Sequence, residues 1–81
     1  MMNKFDVRYY AIFREERGVN QEVIKTNTRT AKELYKELQS KYHFKLSMDS
    51  IRVAVNDEFV RWDKPLKSGD KIIFIPPVAG G

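Results

Sequence analysis

Thr30-Ala31-Lys32-Glu33-Leu34-Tyr35-Lys36-Glu37-Leu38-Gln39-Ser40-Lys41-Tyr42 is the one segment of this chain in which apolar side chains recur at helical rather than alternating spacing. Ala31, Leu34, Tyr35, Leu38 and Tyr42 fall on a single stripe when the chain turns every 3.6 residues. Thr30 and Glu33 stand three apart, as in a capping box, where the Thr hydroxyl accepts from the Glu33 amide and the Glu carboxylate reaches back. Lys32, Lys36 and Gln39 lie on the opposite side, and Glu37 precedes Lys41 by one turn, the spacing of a weak ion pair. The segment predicts one helix over residues 31–42, with a stripe narrow enough to cover one face of a sheet.

On either side of that helix the period changes to two. Phe5, Val7, Tyr9, Ala11 and Phe13 alternate with Asp6, Arg8, Tyr10, Ile12 and Arg14, predicting a strand from Phe5 to Phe13 with the first set inward. Arg14 to Asn20 is polar and contains Gly18, which predicts a turn, and Gln21 to Thr26 then returns as the second strand of a hairpin. Downstream, Phe44, Leu46 and Met48 anchor a loop, and Ile51 to Val55 alternates again as a strand. Asn56-Asp57 is a tight turn that tolerates positive φ, followed by a short returning strand from Glu58 to Trp62. Pro65 leaves the sheet because it has no amide to donate. Ser68-Gly69-Asp70 turns the chain into a β-branched final strand, Lys71 to Ile75, which Pro76-Pro77 ends. Strand, strand, helix and two or three further strands define an α+β fold. With the last strand beside and parallel to the first, the fold class is a ubiquitin-like β-grasp: a mixed four- to five-stranded sheet packed on one main helix, with an extended C-terminal tail. A ferredoxin-like fold would need a second helix of comparable length. The expected division is a β-grasp domain over residues 1–75 and a flexible tail over 76–81.

Composition narrows the function classes. The chain has 81 residues and 42% hydrophobic content, enough for one domain that buries roughly 60% of the surface its unfolded form exposes. It has no cysteine, which excludes a disulfide scaffold, a thiolate metal site and a cysteine nucleophile. Nothing approaches the roughly 20 apolar residues of a membrane span, and Met1-Met2-Asn3-Lys4 does not begin a secretory signal, so a cytoplasmic location and no membrane partner are expected. Fifteen Lys and Arg against 11 Asp and Glu give a net charge of +4, which raises nucleic acid as a partner. The basic residues are interleaved with acids, as in Arg14-Glu15-Glu16-Arg17, and no nucleic-acid-binding signature accompanies them, so no nucleic-acid partner is expected.

Catalytic residue patterns are thin on the body of the domain. His43, the single histidine, follows the helix and reads as a helix-end residue, since a general base needs an orienting partner and a nucleophile. Asp57 and Glu58 belong to a hairpin turn, no metal-ligand spacing occurs, and no glycine-rich phosphate loop is present. The chemistry gathers instead in Ile75-Pro76-Pro77-Val78-Ala79-Gly80-Gly81. A frayed terminus is the plainer reading of any chain end. Here, however, six residues from Pro76, at about 3.3 Å each, reach roughly 20 Å beyond the sheet. The last two lack a Cβ, so the backbone can thread a narrow channel, and what arrives is the α-carboxylate of Gly81. A carboxylate, with an ordinary pKa of about 3.3–3.7, is anionic and a poor electrophile, so chemistry at Gly81 requires activation, typically adenylation by a separate enzyme.

The ending Ile75–Gly81, together with Ser68-Gly69-Asp70-Lys71, Val53-Ala54-Val55-Asn56-Asp57-Glu58-Phe59-Val60 and Tyr9-Tyr10-Ala11-Ile12-Phe13-Arg14-Glu15, resembles the small, sulfur-carrying subunit of molybdopterin synthase (molybdopterin-converting factor subunit 1). The resemblance implies a cycle. An adenylyltransferase related to ubiquitin-activating enzymes would convert Gly81 to its acyl-adenylate, and a sulfur donor enzyme would turn that into a thiocarboxylate. The tail Pro76, Pro77, Val78, Ala79, Gly80 would carry it into the large synthase subunit, which supplies the catalytic residues. Two carriers in a heterotetramer would deliver the two sulfurs that make the molybdopterin dithiolene from cyclic pyranopterin monophosphate, a step of molybdenum cofactor biosynthesis. It also implies a chain with no catalytic site of its own, no tightly bound cofactor and no metal, ATP being used by the adenylating partner. The lack of cysteine agrees, because the terminus is then the sulfur-bearing position. The +4 charge departs from the acidic character of the resembled family.

The same resemblance gives the outward sheet face a role. Tyr10 and Ile12 of the first strand would lie near Ile73 and Ile75 of the last, forming with Arg14 an apolar, arginine-rimmed partner-binding surface; Phe59, Val60 and Trp62 would extend it, unless Trp62 closes the core. Two other outcomes share the Gly81 chemistry: a sulfur carrier for thiamin or another pathway, and a ubiquitin-like modifier that joins Gly81 to a lysine.

Overall fold

The computed structural model describes residues 2–77. Strand β1 (Asn3–Arg8) is followed by a short helix α1 (Ile12–Arg17), strand β2 (Gln21–Thr26), the main helix α2 (Ala31–Tyr42), a 3₁₀ turn at Met48–Ser50, and strands β3 (Arg52–Val55), β4 (Glu58–Val60) and β5 (Lys71–Ile75). The five strands form one sheet in the order β2-β1-β5-β3-β4. β1 and β5 run parallel at its centre, and the other pairs are antiparallel. No helix among the described residues is long and apolar enough to cross a membrane.

Helix α2 occupies residues 31–42 as its spacing predicts. The Thr30 hydroxyl accepts from the Glu33 amide at 3.2 Å, and the Glu33 carboxylate reaches back one residue further than a capping box requires, to the Arg29 amide at 2.7 Å. Glu37 does not pair with Lys41. It accepts a hydrogen bond from the buried Thr26 hydroxyl at 2.9 Å, tying α2 to the end of β2. His43 ends the helix at φ 60 and is exposed.

The core lies between α2 and the inner sheet face. Phe5, Val7, Ile72, Phe74 and Val53 from the strands meet Ala31, Leu34, Tyr35 and Leu38 from the helix, all buried. Aromatic rings dominate its middle: Tyr35 stands 5.1 Å from Phe74 and 6.1 Å from Phe44, centroid to centroid, and Phe13 stands 5.1 Å from Phe44. Burial and the nearby Glu16 charge push the Tyr35 hydroxyl up to about 12, so it stays protonated and donates to the Leu46 carbonyl. Trp62 stacks on Phe74 at 6.1 Å and is half-buried against this cluster; it closes the core and does not extend the outward face.

The first strand is shorter than its alternation predicts. β1 ends at Arg8, Ala11 takes φ 52, and Ile12–Arg17 coils into α1, capped by Gly18 at φ 86. The polar stretch expected as a plain turn is therefore mostly helical. The phase of Phe13 hides the change: it is inward in a strand continued from Phe5, and equally inward as the second residue of a helix that folds over the sheet end. Ala11, expected inward, is exposed, whereas Phe13 is fully buried.

A charged network holds α1 in place. Arg17 donates two hydrogen bonds to the Glu22 carboxylate, at 2.7 and 2.8 Å, and the Tyr9 hydroxyl donates a third at 2.6 Å. The Arg17 guanidinium also lies 4.2 Å over the Tyr42 ring, which joins α1 to the end of α2. Burial pushes the Glu22 carboxyl up, but the hydrogen bonds from Arg17 and Tyr9 and the charges of Arg17 and Lys41 outweigh it and hold the group below its ordinary value. A carboxyl depressed in the fold adds stability above its unfolded pKa and loses it as the pH falls through the folded value. Glu22→Gln keeps the shape but removes the charge, and is expected to cost about 1.5–3 kcal/mol near neutral pH, the range for hydrogen bonds to charged groups. At about 4–8 °C per kcal/mol for a domain of this size, Tm by circular dichroism falls accordingly. The gap from the parent protein starts to narrow as the pH drops below about 4.3, the unfolded value, and closes as it passes the lower folded value at which Glu22 becomes neutral. A constant gap across that range would assign the loss to packing alone.

Candidate carrier terminus and outward sheet face

β5 sits between β1 and β3, so the chain that leaves it departs from the middle of the sheet. Lys71 to Ile75 forms a strand because four of its five residues are β-branched or aromatic. Its start is pinned by the Ser68-Gly69-Asp70 turn, where Gly69 takes φ 94 and its amide donates to the Lys4 carbonyl at 2.7 Å. Across from it, Asn56 and Asp57 take φ 52 and 72, the expected tight hairpin turn, and Asp57 pairs with Lys71 at 2.6 Å. The Asn56 side chain donates to Asp70 at 2.9 Å and accepts from the Lys71 amide at 3.0 Å, so the two turns brace each other.

At its other end the ladder closes on the pair Arg52–Ile75. Pro76 follows half-buried and Pro77 exposed; neither has an amide to continue the pairing, so the chain is turned out of the sheet there. The expectations for Val78, Ala79, Gly80 and Gly81 fall outside the described residues.

The outward face beside this exit carries some of the residues expected there and not others. Ile73 and Ile75 point outward between the fully buried Ile72 and Phe74. Tyr10, two residues beyond β1, is 47% exposed; Arg8 is level with Ile73, so Tyr10 stands at the end of the sheet from which the tail leaves. Ile12 is not on this face. It begins α1 and packs half-buried against the core, because the strand that would have turned it outward has already ended. Arg14 is exposed on α1, which buries Phe13 in the core, so it does not lie on the sheet surface. Val60 also turns toward the core.

Phe59, expected to extend the patch, does lie on the outward face, on the opposite side of β5 from β1. It is 64% exposed, paired with Ala54, which is paired in turn with Ile73. The row Phe59–Ala54–Ile73–Arg8 therefore runs across four adjacent strands, with the Arg52 guanidinium 5.6 Å from the Phe59 ring. Alternation through the hairpin signals this position, since Phe59 follows the inward-facing Val55 by an even tight turn. Among the described residues, no cluster of three or more His, Asp or Glu is placed to hold a metal ion.

A mixed five-stranded sheet packed on one main helix, with its first and last strands parallel and adjacent at the centre, defines a ubiquitin-like β-grasp protein. The model of the ThiS family matches residues 7–81, and the chain belongs to that family. It is 30% identical to the molybdopterin synthase sulfur carrier subunit of Escherichia coli, across 93% of this chain and 96% of that one. It is 33% identical, over the full length of both chains and with a TM-score of 0.67, to a structure solved in a complex of subunits 1 and 2 of the molybdopterin-converting factor from Helicobacter pylori. The small archaeal modifier protein 1 of Methanosarcina acetivorans superposes with a TM-score of 0.78 at 22% identity, covering 100% of this chain and 99% of that one. That last likeness is one of fold.

Proposed function

We propose that this protein is the sulfur carrier of a molybdopterin synthase, with the Gly81 carboxylate as its reactive group and no catalytic site of its own. The observation that carries the reading is a family match running through Gly81 in a chain aligned nearly end to end with a subunit named for sulfur carriage. The position of β5 supports it: a tail leaving the central strand, turned out of the sheet by two prolines, can enter a partner while the domain stays whole.

The chemistry then runs in three steps. On an adenylating partner the Gly81 carboxylate oxygen attacks the α-phosphorus of ATP and pyrophosphate leaves. A sulfide equivalent from the donor enzyme attacks the acyl carbon and AMP leaves, giving the thiocarboxylate. In the large subunit that sulfur bonds to a carbon of cyclic pyranopterin monophosphate, and water cleaves the acyl–sulfur bond, leaving sulfur on the substrate on the way to the dithiolene and returning the Gly81 carboxylate. Tyr10, Ile73, Ile75 and Phe59, with Arg8 and Arg52 beside them, form the partner-binding surface in this reading, and the protein works in the cytoplasm with no bound cofactor, metal, nucleic acid or membrane.

The test is the intact mass of the protein after incubation with ATP, sulfide and the adenylating enzyme of the same source organism. The expected result is the gain that accompanies replacing one oxygen by sulfur, mapped to Gly81, followed by its loss when the large subunit and cyclic pyranopterin monophosphate are added. A gain that a different acceptor discharges would move the protein to another sulfur pathway. High-mass lysine conjugates in place of the gain would make it a modifier.

A further inference from the structure

The chain's excess positive charge is concentrated on one side of the molecule. α1 carries two arginines and two glutamates, and α2 three lysines and two glutamates, so the helical side is close to neutral. On the outward sheet face, Lys4, Arg8, Lys25, Arg52 and Lys71 stand against one carboxylate, Asp6, as the alternation of buried and exposed positions along each strand shows. Asp6 meets Arg8 at 3.2 Å, and Asp57 of the hairpin turn meets Lys71 at 2.6 Å. Lys4, Lys25 and Arg52 have no ion pair among the described residues.

Lys4 and Lys25 are, moreover, directly opposite each other on β1 and β2, both exposed and on the same face. Like charges in that relation destabilise an antiparallel pair. A fold that keeps both lysines forgoes stability that one carboxylate would restore, so the charge is better explained by what the face meets than by what holds the sheet together. The strip of Phe59, Ala54 and Ile73 runs across the same face, so the whole is an apolar centre with a cationic border, the layout of a docking surface.

Resting on the carrier reading above, we infer that the outward sheet face docks on an apolar patch bordered by carboxylates on the large synthase subunit, and that this border speeds encounter and fixes register. Complementary border charges act mainly on association rate and its salt dependence, while the apolar centre governs how long the complex lasts.

The experiment measures association of this protein with the large subunit of its own source organism by surface plasmon resonance across a range of salt concentrations. The association rate of the parent protein is expected to fall as salt rises. Lys25→Glu, combined with Arg52→Glu, is expected to lower it about tenfold at low salt and to flatten the salt dependence. Lys25→Glu alone is expected to raise Tm while slowing association, a combination that damage to the fold cannot produce. Ile75→Asp, at the apolar centre beside the tail, serves as the reference and weakens binding at every salt concentration. Association independent of salt, or unchanged in Lys25→Glu/Arg52→Glu, while Ile75→Asp still weakens binding, overturns the acidic border and leaves the carrier reading standing. Absence of any complex with the large subunit overturns both. Tighter binding to a mixed-sequence RNA oligonucleotide than to the large subunit also overturns the inference, since the charge would then serve a nucleic acid.

Discussion

Deletion of Gly81 is expected to abolish sulfur loading and transfer while leaving the unfolding transition where it is in the parent protein. The last ladder pair among the described residues is Arg52–Ile75 and their last core side chain is Phe74, so every strand pair and core contact of the described residues is kept in the variant. What it changes is reach. One extended residue spans about 3.3–3.6 Å, and a near-attack geometry places the reacting atoms about 3–3.5 Å apart. A tail shortened by one residue therefore halts a full bonding distance short, and a misplacement of even about 1 Å can cost 10²-fold. The Gly80 carboxylate exposed by the deletion is chemically equivalent to the lost one, which makes the variant a test of position rather than of functional group. The readouts are intact mass after the loading reaction and thermal unfolding by circular dichroism. Loading at the parent rate would show that activation does not depend on tail length, and a large loss of Tm would show that the terminus has a structural part.

Residue type singles out the end of the chain as a candidate site: two residues without Cβ, a stiff proline pair before them, and no competing thiol in the sequence. β2, α2 and β5 were legible to the residue because each has a stop that acts locally. Thr30 and Glu33 start α2 through hydrogen bonds within four residues, and Pro76 ends β5 by lacking an amide. The end of β1 has no such marker. Phe13 is inward in either reading, and the choice between strand and helix after Tyr9 is made by contacts distant in sequence. Tyr9 reaches Glu22 on β2, and Phe13 reaches Tyr35 in the main helix and Phe44 beyond it. Period-two reading cannot weigh those contacts. Gly18 just past Arg17, with a basic last turn before it, was the local sign of a helix end that the alternation outweighed. The cost of that misreading fell on the outward sheet face: it placed Ile12 outward, while the row through Phe59, Ala54 and Ile73 is fixed by strand register. The uneven distribution of charge was hidden for a similar reason. Acids and bases interleave along the sequence, but the pleat sends them to different sides, and only the register sets Lys4 opposite Lys25.

Phe74→Ala is expected to be the most damaging single truncation in the domain, and its consequences separate folding from carrier chemistry. The ring is fully buried on the central strand, with Tyr35 at 5.1 Å, Trp62 at 6.1 Å and Phe13 at 6.3 Å between centroids. It therefore touches the main helix, the short helix and the segment that closes the core. Phe-to-Ala changes in cores cost about 3–5 kcal/mol, because the rigid frame on each side of the ring does not collapse into the space left. At about 0.05–0.15 kcal/mol per residue, a domain of this length has a total of roughly 4–12 kcal/mol to lose, so the variant is largely unfolded at the lower end of that range and markedly weakened at the upper. Ile73→Ala, one residue away but outward, removes a half-buried side chain that packs on no part of the core and is expected to cost under about 1 kcal/mol. Urea unfolding followed by Trp62 fluorescence measures both, since the indole lies against the ring being removed. Equal costs for the two would mean that the inward and outward sides of β5 are misassigned. If Phe74→Ala loads sulfur in proportion to its folded fraction, the loss is one of population, whereas deletion of Gly81 loses loading with the folded fraction intact. That contrast follows from the architecture: Phe74 and Gly81 are seven positions apart, one inside the core and the other past the prolines that end its last strand.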